Sequence, residues 1–383
     1  MPLEIGAGAG RKVTPGITGS SRAIVPIDPA VWYLDVGSSH PGGAQSAKGR
    51  AARPLKMEAH KAFKRWTYVK LSAITVRFPI PDYLDKLPDD IRVKGAGNVI
   101  QDILSERKVN LSKIARKTDT SYRVYFRYVK EGRAIPLKAL RTTLGAVSKD
   151  KQDYDSMMKA ICGRKLVFKT LASNSSEVRL PRHYDERLCY LLGLLHDGTV
   201  YINERKNQYV VQFWQGTDRA LMKVAADHLR AVFGTRPQKY SEYIQLSSKA
   251  VACFLRLVCG IPERHREWNS FLIEGLPWQL QKHQIAGFYD AEGWCGGKND
   301  PRVKLSQKNP KKLAEIRSLL GKHGIKCGDV IREREVYALY VSGLNSCVRL
   351  AKEIARISHH SKKRAKLEEL LECVERPPLT RGT

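Results

Sequence analysis

Two short stretches hold the residues best able to do chemistry. Residues 285–294 read IAGFYDAEGW and residues 188–199 read LCYLLGLLHDGT, each an apolar run of helical character ending in an acid followed by glycine. A carboxylate at a helix C-terminus is unfavourable alone, because aligned peptide dipoles already place partial negative charge there. Two such carboxylates brought together also repel. A divalent cation held between them reverses both penalties. Mg²⁺ takes few carboxylates and keeps waters for phosphate oxygens, which suits one acid from each stretch, and Mn²⁺ could take its place.

Asp290 and Glu292 are about 200° apart around a helix, so they cannot both face a partner. Aligning the two stretches on their acid-glycine ends sets Asp197 opposite Glu292 and Leu195 opposite Asp290. Asp197 and Glu292 are therefore the expected metal ligands and catalytic acids, and Asp290 a local hydrogen-bonding residue. Small residues Ala286 and Gly287 let another helix come close. The first stretch is one residue shorter between its glycine and its acid, which leaves Leu192 or Gly193 for the same contact.

The elements that must position these acids repeat as well. After Asp197 come two alternating segments, TVYIN and QYVVQFW, then the amphipathic DRALMKVAADHLRAVFG, a polar-apolar hairpin KYSEYIQLSS and further helix. After Glu292 the order recurs: a short segment, RVKLSQ, PKKLAEIRSLLGKHG, DVIREREVYALYVSG and helix. Each copy reads αββαββα, with repeat 1 expected over 185–280, repeat 2 over 281–375 and a tail over 376–383. Such a duplication predicts a pseudo-twofold molecule of the α+β class.

IAGFYDAEG resembles the LAGLIDADG motif of homing endonucleases, and LLGLLHDG a second, less regular copy. In single-chain members of that family two motif helices pack side by side, the last acid of each binds divalent metal, and two sheets form a saddle over DNA. The resemblance implies a Mg²⁺-dependent endonuclease that hydrolyses phosphodiester bonds of double-stranded DNA as a monomer. It also implies a lysine after the last strand of each repeat and a polar residue after the second. Lys249 and Gln307 fill these places once each, Leu344 stands where a second lysine is expected, and Gln215, Thr217 or Asp218 could be the polar residue of repeat 1. Retention of both acids favours a nuclease. The missing lysine favours a non-cleaving binder of the same fold, such as a transcription regulator or a maturase acting on intron RNA.

Base-reading side chains are expected on the sheet faces, where alternate residues point to one side. The candidates are Gln208 and Gln212; Lys239, Ser241, Tyr243 and Gln245; Arg302 and Lys304; and Arg332 and Arg334.

Charge agrees with a nucleic-acid partner. The 383 residues contain 67 Lys and Arg against 38 Asp and Glu, a net +29, and the excess is spread over both halves. With 42% apolar residues the chain folds, and bulk disorder is excluded. The eight cysteines form no CxxC pair, so a structural zinc site is not expected, and they read as reduced core residues of an intracellular protein. No apolar stretch is long enough for a membrane helix and no signal peptide is visible, so a cytoplasmic protein is expected. The sequence opens on Met rather than Cys or Ser and lacks a closing His-Asn, which gives no support for protein splicing. A free-standing protein of a mobile element is expected.

Residues 1–55, rich in Gly, Ser, Pro and Ala, are expected to be disordered, with 56–95 as an extension. Four short helical pieces over 96–150 follow, and a linker is expected over 151–184. NLSKIARKT and SYRVYFRYVKEG, separated by DT, suit a helix-turn-helix in which Ala115 allows a close crossing. This small all-α domain resembles DNA-binding domains of phage-repressor type. Its second helix would enter the major groove with Arg123 and Arg127.

Overall fold

The structure, a computed structural model, describes residues 78–79, 83–170, 176–214, 216, 218–262 and 275–375. The expectations for residues 1–55 and 376–383, for Gln215 and Thr217, and for most of the extension lie outside these.

Strand β1 (Phe78–Pro79) pairs antiparallel with β5 (His183–Tyr184), just before the first motif helix. Between them lies a small domain: β2 (Arg92–Lys94), α1 (Gly97–Glu106), α2 (Leu111–Lys117), α3 (Tyr122–Val129), β3 (Ile135–Pro136), α4 (Leu137–Val147), α5 (Lys151–Cys162) and β4 (Val167–Lys169). Helices α2, α3 and α5 begin where Asn110, Ser121 and Asp150 accept backbone N–H groups that have no partner within the helix. Ala115 is buried on α2, which packs against α3. Asp119 makes their turn at φ 50°, a left-handed conformation that Asp tolerates where glycine is commoner.

Two expectations differ here. The domain carries a three-stranded sheet of order β3-β2-β4, so it is not all-α. The stretch 151–184 is no plain linker, because α5 and β4 belong to this domain through the buried Met157, Met158, Ile161 and Phe168. Strands of two or three residues are too short to reveal alternation, and so they left no pattern to read.

Repeat 1 runs α6 (Glu186–Leu194), a 3₁₀ turn over Leu195–Asp197, β6 (Gly198–Asn203), β7 (Gln208–Trp214), α7 (Arg219–Phe233), β8 (Gln238–Lys239), β9 (Tyr243–Ser247) and α8 (Lys249–Leu257). Repeat 2 runs α9 (Trp278–Glu292), β10 (Gly293–Cys295), β11 (Arg302–Gln307), α10 (Pro310–Lys322), β12 (Cys327–Glu333), β13 (Val336–Ser342) and α11 (Leu344–Ile354), and α12 (Ser361–Glu375) follows. The sheets have the same antiparallel order, β6-β7-β9-β8 and β10-β11-β13-β12. On each central strand alternate residues turn inward: Tyr209, Val211 and Phe213 on β7, and Val303 and Leu305 on β11. The two motif helices α6 and α9 pack along one another and join the two repeats.

None of the eight cysteines forms a disulfide. Among the described residues no helix is long and apolar enough to cross a membrane.

Candidate active site

The contact between α6 and α9 is reciprocal. A Cβ at Gly193 would stand 2.0 Å from the Gln284 carbonyl oxygen and 2.8 Å from the Phe288 nitrogen. A Cβ at Gly287 would stand 2.1 Å from the Tyr190 carbonyl oxygen and 2.9 Å from the Leu194 nitrogen. Gly193 and Gly287 are therefore twofold mates, and of the two residues open in the first stretch Gly193 makes the contact. Backbone meets backbone, as small residues permit wherever helices come this close.

The missing residue in the first stretch is absorbed by helix type. From Gly287 to Glu292 are five α-helical steps of about 1.5 Å, roughly 7.5 Å in all. From Gly193 to Asp197 are one such step and three 3₁₀ steps of about 2.0 Å, again roughly 7.5 Å. Both acids thus end their helices at the same height above the shared crossing. Gly198 and Gly293 follow in extended conformation and open β6 and β10.

The pair is electrostatically costly. Desolvation by the surrounding protein raises Asp197 to about 6 although the residue stays open to solvent, and Lys363 partly offsets this. Desolvation and then the charge of Asp197 raise Glu292 to about 7, against the lowering effects of Lys363, Lys312 and a bond from Gln307. The repulsion falls on Glu292 because the stronger acid, Asp197, ionises first. Gln307 Nε2 donates to Glu292 Oε1 at 3.4 Å.

Two lysines that the sequence did not single out serve this centre. Lys363, on the first turn of α12, donates to the carbonyl oxygens of Tyr289, Asp290 and Ala291 at 3.3, 2.7 and 3.1 Å. It thereby caps the negative end of α9, the position where a cation is most favourable. Burial lowers its pKa and four surrounding acids oppose that. Lys312 on α10 is buried, which lowers its amine to about 8 against the pull of Glu292, and its Nζ lies 3.2 Å from His196 Nδ1. Neither lysine had a local signal: one sits on a polar C-terminal helix and the other in an ordinary amphipathic one.

Asp290 is buried, and its carboxylate accepts from Tyr190 Oη, Ser358 Oγ and the His359 backbone N–H, at 2.5 Å for Tyr190 and 2.7 Å for His359. Asp218 caps α7 at Leu221 and also accepts from the Ser361 backbone N–H and hydroxyl. Residues 358–361 therefore tie repeat 2, through Asp290, to repeat 1, through Asp218, and deliver Lys363 to the acids.

Lys249 lies at the start of α8, where its ammonium bonds Asp90 at 2.7 Å and sits 4.8 Å from the centre of the Tyr209 ring. Leu344 is exposed at the corresponding start of α11.

The sheet candidates fall into rows set by register. Thr199, Gln212, Gln245 and Gln238 stand side by side on the outer face, with Gln212 Nε2 donating to Gln245 Oε1 at 2.9 Å. Gln208 is exposed beside Asn203, and Tyr243 faces Trp214. Lys239 does not share the face of Tyr243 and Gln245. It lies on β8 opposite the inward Ile244, because the chain turns at 240–242 and Ser241 is in that turn. On sheet 2, Arg302 pairs with Asp300, and Lys304 with Glu333. Arg332 falls in the row of Tyr337 and Gln307, the face opposite Lys304, and Arg334 takes φ 53° in the hairpin turn. On α3, Arg123 is exposed and Arg127 lies 3.9 Å from Glu131.

The centre fits an open cation site. Two hard carboxylates lie together, and Gln307 is the donor on Glu292. Among the described residues no group of three or more His, Cys, Asp or Glu could hold a metal by itself. Such a pair leaves most of a coordination sphere to water and phosphate oxygens, as Mg²⁺ or Mn²⁺ prefers.

Residues 280–355 match the family model of the LAGLIDADG-like domain, which spans repeat 2 from its motif helix through α11. Comparison with curated proteins gives no match. Among solved structures, I-DmoI in complex with DNA and Mn is 22% identical, with a TM-score of 0.33 over 44% of this chain and 96% of that one. I-WcaI bound to its DNA recognition sequence is 13% identical, with a TM-score of 0.37 over 48% and 85%. Full-length DUF199/WhiA from Thermatoga maritima is 11% identical, with a TM-score of 0.32 over 51% and 62%. Repeat 2 is thus a LAGLIDADG-like domain by its family model, and repeat 1 reproduces its element order, its strand order and its motif helix.

Proposed function

We propose that this protein is a sequence-specific endonuclease of double-stranded DNA, with Asp197 and Glu292 jointly holding a divalent cation, Mg²⁺ or Mn²⁺. The observation that carries the reading is the reciprocal glycine contact, which brings two desolvated, mutually repelling carboxylates to one height at the ends of α6 and α9. Paired helix-end acids cost stability, and that cost has a purpose if they hold a cation. When bound, the cation would activate water and offset charge developing on the scissile phosphate.

The chain's own groups then have definite roles. Gln307 orients the Glu292 carboxylate through its 3.4 Å bond. Lys363 holds the α9 terminus and adds positive charge beside both acids. Lys312 adds a second, buried amine beside Glu292. Lys249 instead fastens repeat 1 to Asp90. The outer glutamine row can pair with adenine edges in a major groove. Target choice, use of the chain as a monomer, and any groove contact by α3 belong to the same proposal.

The test is incubation of purified protein with a randomised duplex library and Mg²⁺, followed by sequencing of the ends. Cleavage is expected, and Asp197→Asn and Glu292→Gln should each abolish it while leaving binding intact. Tight binding without any cutting would favour the second reading, a non-cleaving regulator or RNA maturase. The engagement of Lys249 by Asp90 and the leucine at 344 speak for that alternative.

A further inference from the structure

Apart from the acidic centre, sheet 1 carries a run of stacked rings open to solvent. Trp214 closes β7 and faces Tyr243 across the sheet, with centroids 4.6 Å apart and planes at 33°. Tyr240, in the hairpin turn, stacks on the same tyrosine at 4.5 Å and 18°. Tyr243 is sandwiched, while Trp214 and Tyr240 are 39% and 42% exposed, so each has a face to offer. Burial does not explain the arrangement, because large rings left in water gain little from the hydrophobic effect.

The rim beside Tyr240 is basic. Arg219 and Lys223 on α7, with Lys239 and Ser241 of the hairpin, line a cavity of about 570 Å³ that Tyr240 also borders. Among the described residues no carboxylate forms an ion pair with Arg219, Lys223 or Lys239. Sheet 2 lacks a matching ladder among its described residues: its outer row sets Trp294 beside Lys304 and Tyr340, and both of the latter are engaged by Glu333.

Flat rings at base-stacking distance beside unpaired cations are what an unpaired nucleic-acid strand requires: π faces for its bases and positive charge for its phosphates. A duplex cannot use the rings, since its bases already stack on each other and present only their edges in the grooves. We propose that the ledge formed by Trp214, Tyr243 and Tyr240 binds an unpaired strand, with bases stacked on the free faces of Trp214 and Tyr240 and the backbone led to Arg219, Lys223 and Lys239. The proposal is independent of cleavage at Asp197 and Glu292. The strand can be RNA or a locally opened DNA, which offer the same chemistry here.

Fluorescence anisotropy with the full chain tests it, using labelled oligonucleotides of about 12 nucleotides as single-stranded RNA, single-stranded DNA and duplex DNA at one salt concentration. The Trp214→Ala/Tyr240→Ala double variant should lose about tenfold or more in single-strand affinity, since each stacked base contributes measurably. Its duplex affinity should be unchanged, since a duplex presents only base edges in its grooves. Trp214→Phe/Tyr240→Phe should keep single-strand binding, and an abasic strand should bind wild type and the alanine variant alike. Greater loss with RNA or with DNA assigns the source. Equal loss for duplex and single strand would overturn the proposal by placing the ledge in the duplex interface, and no loss with any probe would overturn it outright.

Discussion

Gly193 and Gly287 occupy equivalent places against each other's helix: a methyl on either would lie about 2 Å from a carbonyl oxygen of the partner, Gln284 or Tyr190. The obstacle is backbone in both directions, so no rotamer change relieves it. Gly193→Ala and Gly287→Ala should each destabilise the protein by roughly 3 kcal/mol or more, at or above the usual range for overpacking. Gly321, on α10 with open space around it, provides the control, and its alanine variant should gain about 0.5–1 kcal/mol from helix propensity. Urea denaturation measures all three.

The acidic pair should give stability a characteristic pH dependence. Asp197 titrates near 6 and Glu292 near 7, both above the unfolded carboxylate range of about 4. The folded protein therefore binds these protons more tightly than the unfolded chain, and the associated stability is present at low pH and lost as pH rises from about 4 through 7. A divalent cation needs the ionised forms, so the Tm increase produced by Mg²⁺ or Mn²⁺ should grow over pH 6 to 7. A Tm increase that is flat across that window would count against the two acids as ligands.

Lys363 is the cation that both acids share. Replacing it with Met should raise both carboxyl titration midpoints, and carboxyl NMR can follow this directly. Three carbonyls at the end of α9 would also lose their donor, at a cost of about 1–3 kcal/mol. Lys363→Arg keeps the charge and should restore most of the midpoints. A Met variant that is less stable yet has unmoved midpoints would reduce Lys363 to a structural cap.

Asp290 and Asp218 hold the two ends of the bridge at 358–361. Asp290→Asn presents an amide to three donors, from Tyr190, Ser358 and His359, and should cost about 3 kcal/mol as bonds to a buried charge are lost. Because the bridge also positions Lys363, cleavage should fall in this variant even where the fold is retained at low temperature. Ser361→Ala removes one exposed bond to Asp218 and should be milder, by about 1 kcal/mol. Differential scanning calorimetry with a parallel cleavage assay separates the two effects.

The repeat was legible because its signals are local. Helical and alternating periodicities mark αββαββα twice, and an acid-glycine end marks each motif helix, so the alignment of Asp197 with Glu292 followed from spacing, whereas Gln307 was singled out only by what the family resemblance implies. The face of a strand residue was less secure, since parity depends on where the chain turns. The hairpin at 240–242 puts Lys239 on the other side from Gln245, and pairing with Tyr337 puts Arg332 on the other side from Lys304.

Tertiary structure alone decided what surrounds the acids. Charge acts through space, and no sequence period records that α12 folds back to set Lys363 on the end of α9, or that α10 buries Lys312 beside Glu292. The same holds for Lys249, whose position after a strand was plain but whose partner Asp90 comes from another domain. The one-residue irregularity of the first motif was visible in the sequence, and its resolution was not. It required a 3₁₀ turn, whose longer rise per residue recovers the height that the missing residue would have supplied.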